Sequence, residues 1–122
     1  MALGANQPVP TISTHVLDTE RGLPAAGVAV TLYRLADDGR PLRLTQALTD
    51  TDGRVRDLLE RPLVAGEYRL EFDLATPAGA RDQDDQRFFR RVSLDLRVTD
   101  VARNYHVPLL LAPFSVTTYR GS

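Results

Sequence analysis

The chain has 122 residues, one domain's worth, with 15 basic and 16 acidic residues for a formal net charge of −1; a chain of this size buries about two-thirds of the surface its unfolded form exposes. A single core therefore suffices without disulfide or structural metal, in keeping with the absence of cysteine, which also fits a reducing, cytoplasmic compartment. The near-neutral balance excludes a global field for nucleic acid or an anionic membrane, the all-arginine cation set excludes Schiff-base lysine chemistry and a lysine-dependent phosphate loop, and no apolar run approaches the roughly 20 residues that span a bilayer.

Residues 1–10 lack the basic start and long apolar stretch of a signal peptide, so they read as a loose arm ahead of one domain over 11–122. From Thr11 to Leu17 the residues alternate as a strand, with Ile12, Thr14 and Val16 on one face and Ser13, His15 and Leu17 on the other. A loop marked by Gly22, Pro24 and Gly27 leads to a second strand, where Val28, Val30 and Leu32 alternate with Ala29, Thr31 and Tyr33. Asp37-Asp38-Gly39 reads as a turn, and Leu42 to Thr49 as a third strand. Asp52-Gly53 is a strong turn signal that delivers Arg54 at the start of the next extended piece.

Tyr68, Leu70 and Phe72 alternate with Glu67, Arg69, Glu71 and Asp73 in the clearest half-buried strand of the chain. The polar stretch from Ala75 to Gln86 predicts a loop or one short helix, after which Val92, Leu94, Leu96 and Val98 mark another strand. Tyr105 to Leu111 and Ser115 to Tyr119, joined by Ala112-Pro113-Phe114, predict a closing hairpin. On its first arm His106, Pro108 and Leu110 share a face; on its second Ser115, Thr117 and Tyr119 do. Pro108 has no N–H for a ladder, which predicts an edge strand or a bulge. About eight short strands closed by turn residues, with no internal repeat, predict an all-β sandwich or barrel.

The candidate chemistry is sparse. His15 and His106, the two histidines, both fall in predicted strands on faces set apart from the aliphatic one. Imidazole near its ordinary pKa of about 6.5 is suited to taking and returning a proton at neutral pH, although an isolated strand histidine is more often a hydrogen-bonded surface residue. Arg54 offers a fixed, always-charged fork for a carbonyl or an anion, against the ordinary alternative of a solvated charge beside a turn. The closing Tyr119-Arg120-Gly121-Ser122 would ordinarily be a frayed end. Two histidines without cysteine make a protein-only zinc site implausible, and neither a Gly-Xaa-Ser-Xaa-Gly elbow nor a Gly-rich phosphate loop is present. Asp82, Asp84 and Asp85 imitate part of a calcium loop but lack its glycine and closing glutamate.

Thr14-His15-Val16-Leu17-Asp18-Thr19, the Asp52-Gly53-Arg54 turn, Tyr105-His106-Val107-Pro108-Leu109-Leu110-Leu111, Pro113, Ser115 and the closing Tyr119-Arg120-Gly121-Ser122 together resemble the transthyretin-like 5-hydroxyisourate hydrolases. The resemblance runs from Ile12 to Ser122 in consistent order. Its first part, Pro24 to Val30 followed by Thr51-Asp52-Gly53, is shared by many prealbumin-like modules and speaks only for the fold. The two histidine motifs and the terminal tetrapeptide are narrower, since thyroid-hormone-carrying transthyretins lack them.

What the resemblance implies is a transthyretin (prealbumin)-like β-sandwich of two four-stranded sheets, assembled as a homotetramer, a dimer of dimers, with active sites in the channel between dimers. Carried over, the catalytic residues are His15, Arg54 and His106, and the substrate-binding residues Tyr119, Arg120, Gly121 and Ser122. The implied reaction opens 5-hydroxyisourate by hydrolysis of a ring acyl C–N bond, a step of urate degradation, with no cofactor and no metal. His106 would activate water, His15 would orient it or return the proton, and Arg54 would stabilise the oxyanion; the resemblance does not fix which histidine does which. The terminal carboxylate of Ser122 would add a charge to the site. A non-catalytic carrier of a planar ligand, or an adhesion or accessory β-module, would keep the fold without needing the histidine pair.

Overall fold

In chain order, the alternating segments become β1 (Ile12–Asp18), β2 (Leu23–Pro24), β3 (Ala29–Leu35), β4 (Pro41–Leu48), β5 (Arg54–Val55), β6 (Gly66–Asp73), β7 (Arg91–Val98), β8 (Tyr105–Ala112) and β9 (Ser115–Thr118). The computed structural model describes residues 9–74 and 88–121. Most of the expected arm, the loop or short helix after Leu74, and Ser122 therefore lie outside the described residues. Among the described residues there is no helix, and none long and apolar enough to cross a membrane.

One sheet has the order β4-β3-β6-β7, all antiparallel. The other has the order β2-β1-β8-β9, with β5 also paired to β1, so it holds five strands rather than the expected four. Two of the five, β2 and β5, are only two residues long, too short for periodicity to reveal. β1 and β8 pair in parallel across an unbroken register, from Ile12 opposite Tyr105 to Asp18 opposite Leu111.

The sheets face each other across a core fed by the period-two alternation of both. Ile12 and Val16 of β1, Val30 and Leu32 of β3, Leu70 and Phe72 of β6, and Leu109 of β8 are fully excluded from solvent. Burial of each stabilises the fold by about 1.5–3 kcal/mol. After β5, Leu58 and Leu59 are also buried in this core, and the Leu58 amide donates to the Ile12 carbonyl at 2.9 Å.

Pro108 corrects the expectation of an edge or a bulge. β8 lies inside its sheet, between β1 and β9, with no register shift in either ladder. Amides alternate in direction along a strand; that of Tyr105 points toward β1, donating to Thr11, so the N–H that Pro108 lacks would have pointed toward β9. The β9 ladder ends at Thr118, one residue short of the position opposite Pro108, and resumes at a single bridge between His106 and Gly121 in the same register. The Thr118 hydroxyl donates to the Pro108 carbonyl at 2.8 Å. An interior proline is thus accommodated by interrupting the neighbouring ladder rather than by bending its own strand.

Candidate active site

The β1 alternation buries Ile12, Thr14 and Val16 against the other sheet and turns Ser13, His15 and Leu17 outward, half-buried. Register then decides their neighbours. On the β8 side Ser13 stands opposite His106, His15 opposite Pro108 and Leu17 opposite Leu110. On the β5 side His15 stands opposite Arg54. Two cross-sheet rows result on one outer face: Arg54, His15 and Pro108 in one, Ser13, His106 and Gly121 in the next. His15 and His106 are diagonal neighbours between the rows.

Arg54 is delivered by a rigid turn. The Asp50 carboxylate accepts the amides of Asp52 and Arg54, both at 2.9 Å, while the Gly53 amide donates to the Asp50 carbonyl at 2.8 Å. The Arg54 amide foremost, with the Asp52 amide and the nearby arginines, holds the Asp50 carboxyl below its usual range. Gly53 has φ 77°, and its carbonyl accepts the Val16 amide at 2.7 Å. A Cβ there would lie 2.3 Å from the Val16 carbonyl oxygen, so only glycine fits. The Arg54 charge acts on both the Asp50 carboxyl and the His106 ring.

The His106 ring is held on two sides. Its Nδ1 is hydrogen-bonded with the Ser13 hydroxyl at 2.8 Å. Against its other edge lies the Gly121 backbone, whose amide donates to the His106 carbonyl at 2.7 Å. Burial, and then the charges of Arg54 and His15, push the His106 pKa below its ordinary value. This shift favours the neutral imidazole, in which one ring nitrogen can accept a proton.

A cleft of about 540 Å³ opens beside this ring, lined by Ser13, Arg54 and His106 together with Thr11, Asp57 and Asn104. Its far wall is fixed by hydrogen bonds. The Asn104 side-chain oxygen accepts the Thr11 amide at 3.0 Å, and the Thr11 hydroxyl donates to Asp57 at 2.5 Å. Asp57 also accepts the amides of Leu59 at 3.1 Å and Glu60 at 3.0 Å; the Glu60 amide, then Thr11, holds its carboxyl below the usual range. Among the described residues, no group of three histidine or carboxylate side chains is arranged to hold a metal ion.

Of the residues singled out from sequence, His15, Arg54, His106 and Gly121 converge on this face. Tyr119 is exposed, at the register position opposite Pro108. Arg120 is also exposed. Ser122 lies outside the described residues. Ser13 was legible only as a face-mate of His15; its contact with His106 depends on the pairing of β1 with β8, which alternation does not specify. Thr11, Asp57 and Asn104 gave no signal, since each is an ordinary turn or strand-end residue.

With this geometry in place, the chain's relatives are informative. The model of the HIUase/Transthyretin family matches residues 12–121, and the chain belongs to that family. It is 46% identical over 116 residues to a 5-hydroxyisourate hydrolase of Deinococcus radiodurans, covering 93% of this chain and 97% of that protein. A mouse 5-hydroxyisourate hydrolase is 40% identical over 113 residues, covering 91% and 94%. Among solved structures, the Klebsiella pneumoniae 5-hydroxyisourate hydrolase superposes with a TM-score of 0.78 at 34% identity, over 93% of this chain and 99% of that one. Sea bream transthyretin in complex with thyroxine superposes with a TM-score of 0.79 at 30% identity, over 90% and 93%.

Proposed function

We propose that the chain hydrolyses 5-hydroxyisourate to 2-oxo-4-hydroxy-4-carboxy-5-ureidoimidazoline, a step in urate degradation, using His15, Arg54 and His106 as one catalytic unit. The observation that carries this reading is the half-buried His106 imidazole, hydrogen-bonded with Ser13, on the same face as His15 and Arg54. Architecture does not separate a hydrolase from a ligand carrier, because a hydrolase and a thyroxine-bound transthyretin superpose almost equally well. The grouping of His15, His106 and Arg54 on one outer face supports the hydrolase reading.

The chemistry follows from the arrangement. His106 takes a proton from water as the water oxygen attacks the ring carbonyl carbon. Negative charge gathers on the carbonyl oxygen, where Arg54 stabilises it in a site poor in competing water. The ring C–N bond then breaks, the departing nitrogen receives the proton held by the imidazolium, and the carbonyl carbon, still part of the opened product, becomes a carboxylic acid that releases its proton to solvent. His15, beside Arg54 and diagonal to His106, orients the water or returns the proton. Tyr119, Arg120, Gly121 and Ser122 bind substrate along the edge of β8, and the reaction needs neither cofactor nor metal.

The same reading takes residues 11–122 as the hydrolase domain, with residues 1–10 an arm, acting in the cytoplasm as a homotetramer built as a dimer of dimers. The outward face that carries the histidines would line a channel between dimers, so the cleft of one chain is completed by a second. Among the described residues β7 and β9 lie at sheet edges and offer ladders for subunit pairing. Sedimentation at micromolar concentration tests the assembly, with a mass of four chains expected.

The activity is tested by adding protein to freshly generated 5-hydroxyisourate and following its ultraviolet absorbance. Decay well above the spontaneous rate is expected. Decay at the spontaneous rate would leave a transthyretin-like carrier as the reading.

A further inference from the structure

We propose that Ser13 is the positioning residue of the site: its hydroxyl oxygen accepts the Nδ1–H of neutral His106, reserving Nε2 and its lone pair for the attacking water. The inference rests on His106 as the proton acceptor of the reaction proposed above. It begins in the backbone. Parallel pairing sets Ser13 and His106 directly opposite each other on the outer face, and the two side-chain atoms stand 2.8 Å apart. The opposite edge of the ring is closed by Gly121, where an added Cβ would meet Cδ2 at 2.9 Å, Cβ at 3.3 Å and Cγ at 3.4 Å. With Nδ1 engaged and that edge blocked, Nε2 is the nitrogen left for a ligand.

A serine hydroxyl both donates and accepts, so the partners alone do not set the tautomer. The surrounding charge does. His15 from β1 and Arg54 from β5 both act on the ring electrostatically, and Arg56 and Asp57, just beyond β5, line the same cleft. Asp57 is occupied by Thr11 and two amides. Among the described residues on the C-terminal side, Gly121 brings no charge and Arg120 is exposed. The Arg54 guanidinium, which lines the same cleft and acts on the ring, favours the lone pair rather than the N–H on the side turned toward it.

The choice of serine over a carboxylate also has a consequence. An aspartate at this position would favour imidazolium and raise the His106 pKa, leaving the base protonated near neutral pH. A neutral acceptor fixes the tautomer and leaves the pKa low. Once His106 has taken the proton from water, its Nδ1–H donates a charge-assisted bond to Ser13, so the contact strengthens as charge develops.

The test uses the full chain, labelled with ¹⁵N, and imidazole ¹H–¹⁵N correlation spectra recorded without substrate above the titration of the ring. Two histidines give two spin systems. Wild type is expected to carry the His106 proton on Nδ1. The isosteric pair Ser13→Thr and Ser13→Val, both suited to a strand, separates the hydroxyl from its shape. Ser13→Thr keeps the Nδ1–H tautomer and the rate. Ser13→Val shifts His106 toward Nε2–H, lowers kcat by about 10- to 100-fold with little change in KM, and moves the acidic limb of kcat/KM to lower pH. A wild-type proton on Nε2, or equal rates and tautomers for the two variants, would overturn the proposal. Because the tautomer is read without substrate, it stands or falls separately from the hydrolysis itself.

Discussion

Gly121 stands so close to the His106 ring that an added Cβ would lie 2.9 Å from Cδ2. Its φ is not in the left-handed region, so the glycine is required by space rather than by backbone conformation. Gly121→Ala must displace the imidazole, and a shift of about 1 Å in a catalytic group costs on the order of 10²-fold in rate. Initial rates should fall by that order, while far-ultraviolet circular dichroism and the thermal midpoint stay near wild type.

Gly53 carries the opposite kind of constraint. Its φ of 77° and the 2.3 Å approach of a would-be Cβ to the Val16 carbonyl combine conformational and steric cost. Gly53→Ala should destabilise the fold by about 1–3 kcal/mol, a fall of roughly 4–15 °C in Tm, and should loosen the turn that presents Arg54. Thermal denaturation and kcat would both register it.

The depressed His106 pKa predicts two pH effects. The acidic limb of kcat/KM should fall below the ordinary histidine value of 6.5, and Arg54→Gln, by removing a neighbouring cation, should move it upward. For stability, the unfolded chain binds this proton more tightly than the folded one. The contribution is therefore complete above 6.5 and declines as pH falls through that value toward the folded pKa. Imidazole chemical shifts across a pH titration measure the first effect, and urea unfolding on either side of 6.5 the second.

Much of the architecture was legible because period-two alternation in β1, β3, β6 and β7 is strong and each strand ends in a turn residue. His15 opposite the aliphatic face of β1 followed from counting alone. The two-residue strand β2 did not, since it carries no period, and β5 was marked only by the turn that starts an extended piece at Arg54; both pair along β1. Pro108 misled for a physical reason: a missing N–H is counted against its own strand, whereas here the neighbouring strand absorbs it. The Ser13 contact with His106, and the cleft wall of Thr11, Asp57 and Asn104, depend on pairings across more than forty residues, which no local pattern encodes.

The most direct measurement is the rate of 5-hydroxyisourate decay with His15→Ala, His106→Ala and Arg54→Ala, each first matched to wild type in oligomeric mass. Wild type should accelerate the reaction, and each substitution should reduce kcat/KM by at least about 10²-fold, as befits general-base and oxyanion groups. A variant that assembles normally and retains the wild-type rate would contradict the account of a single three-residue catalytic unit.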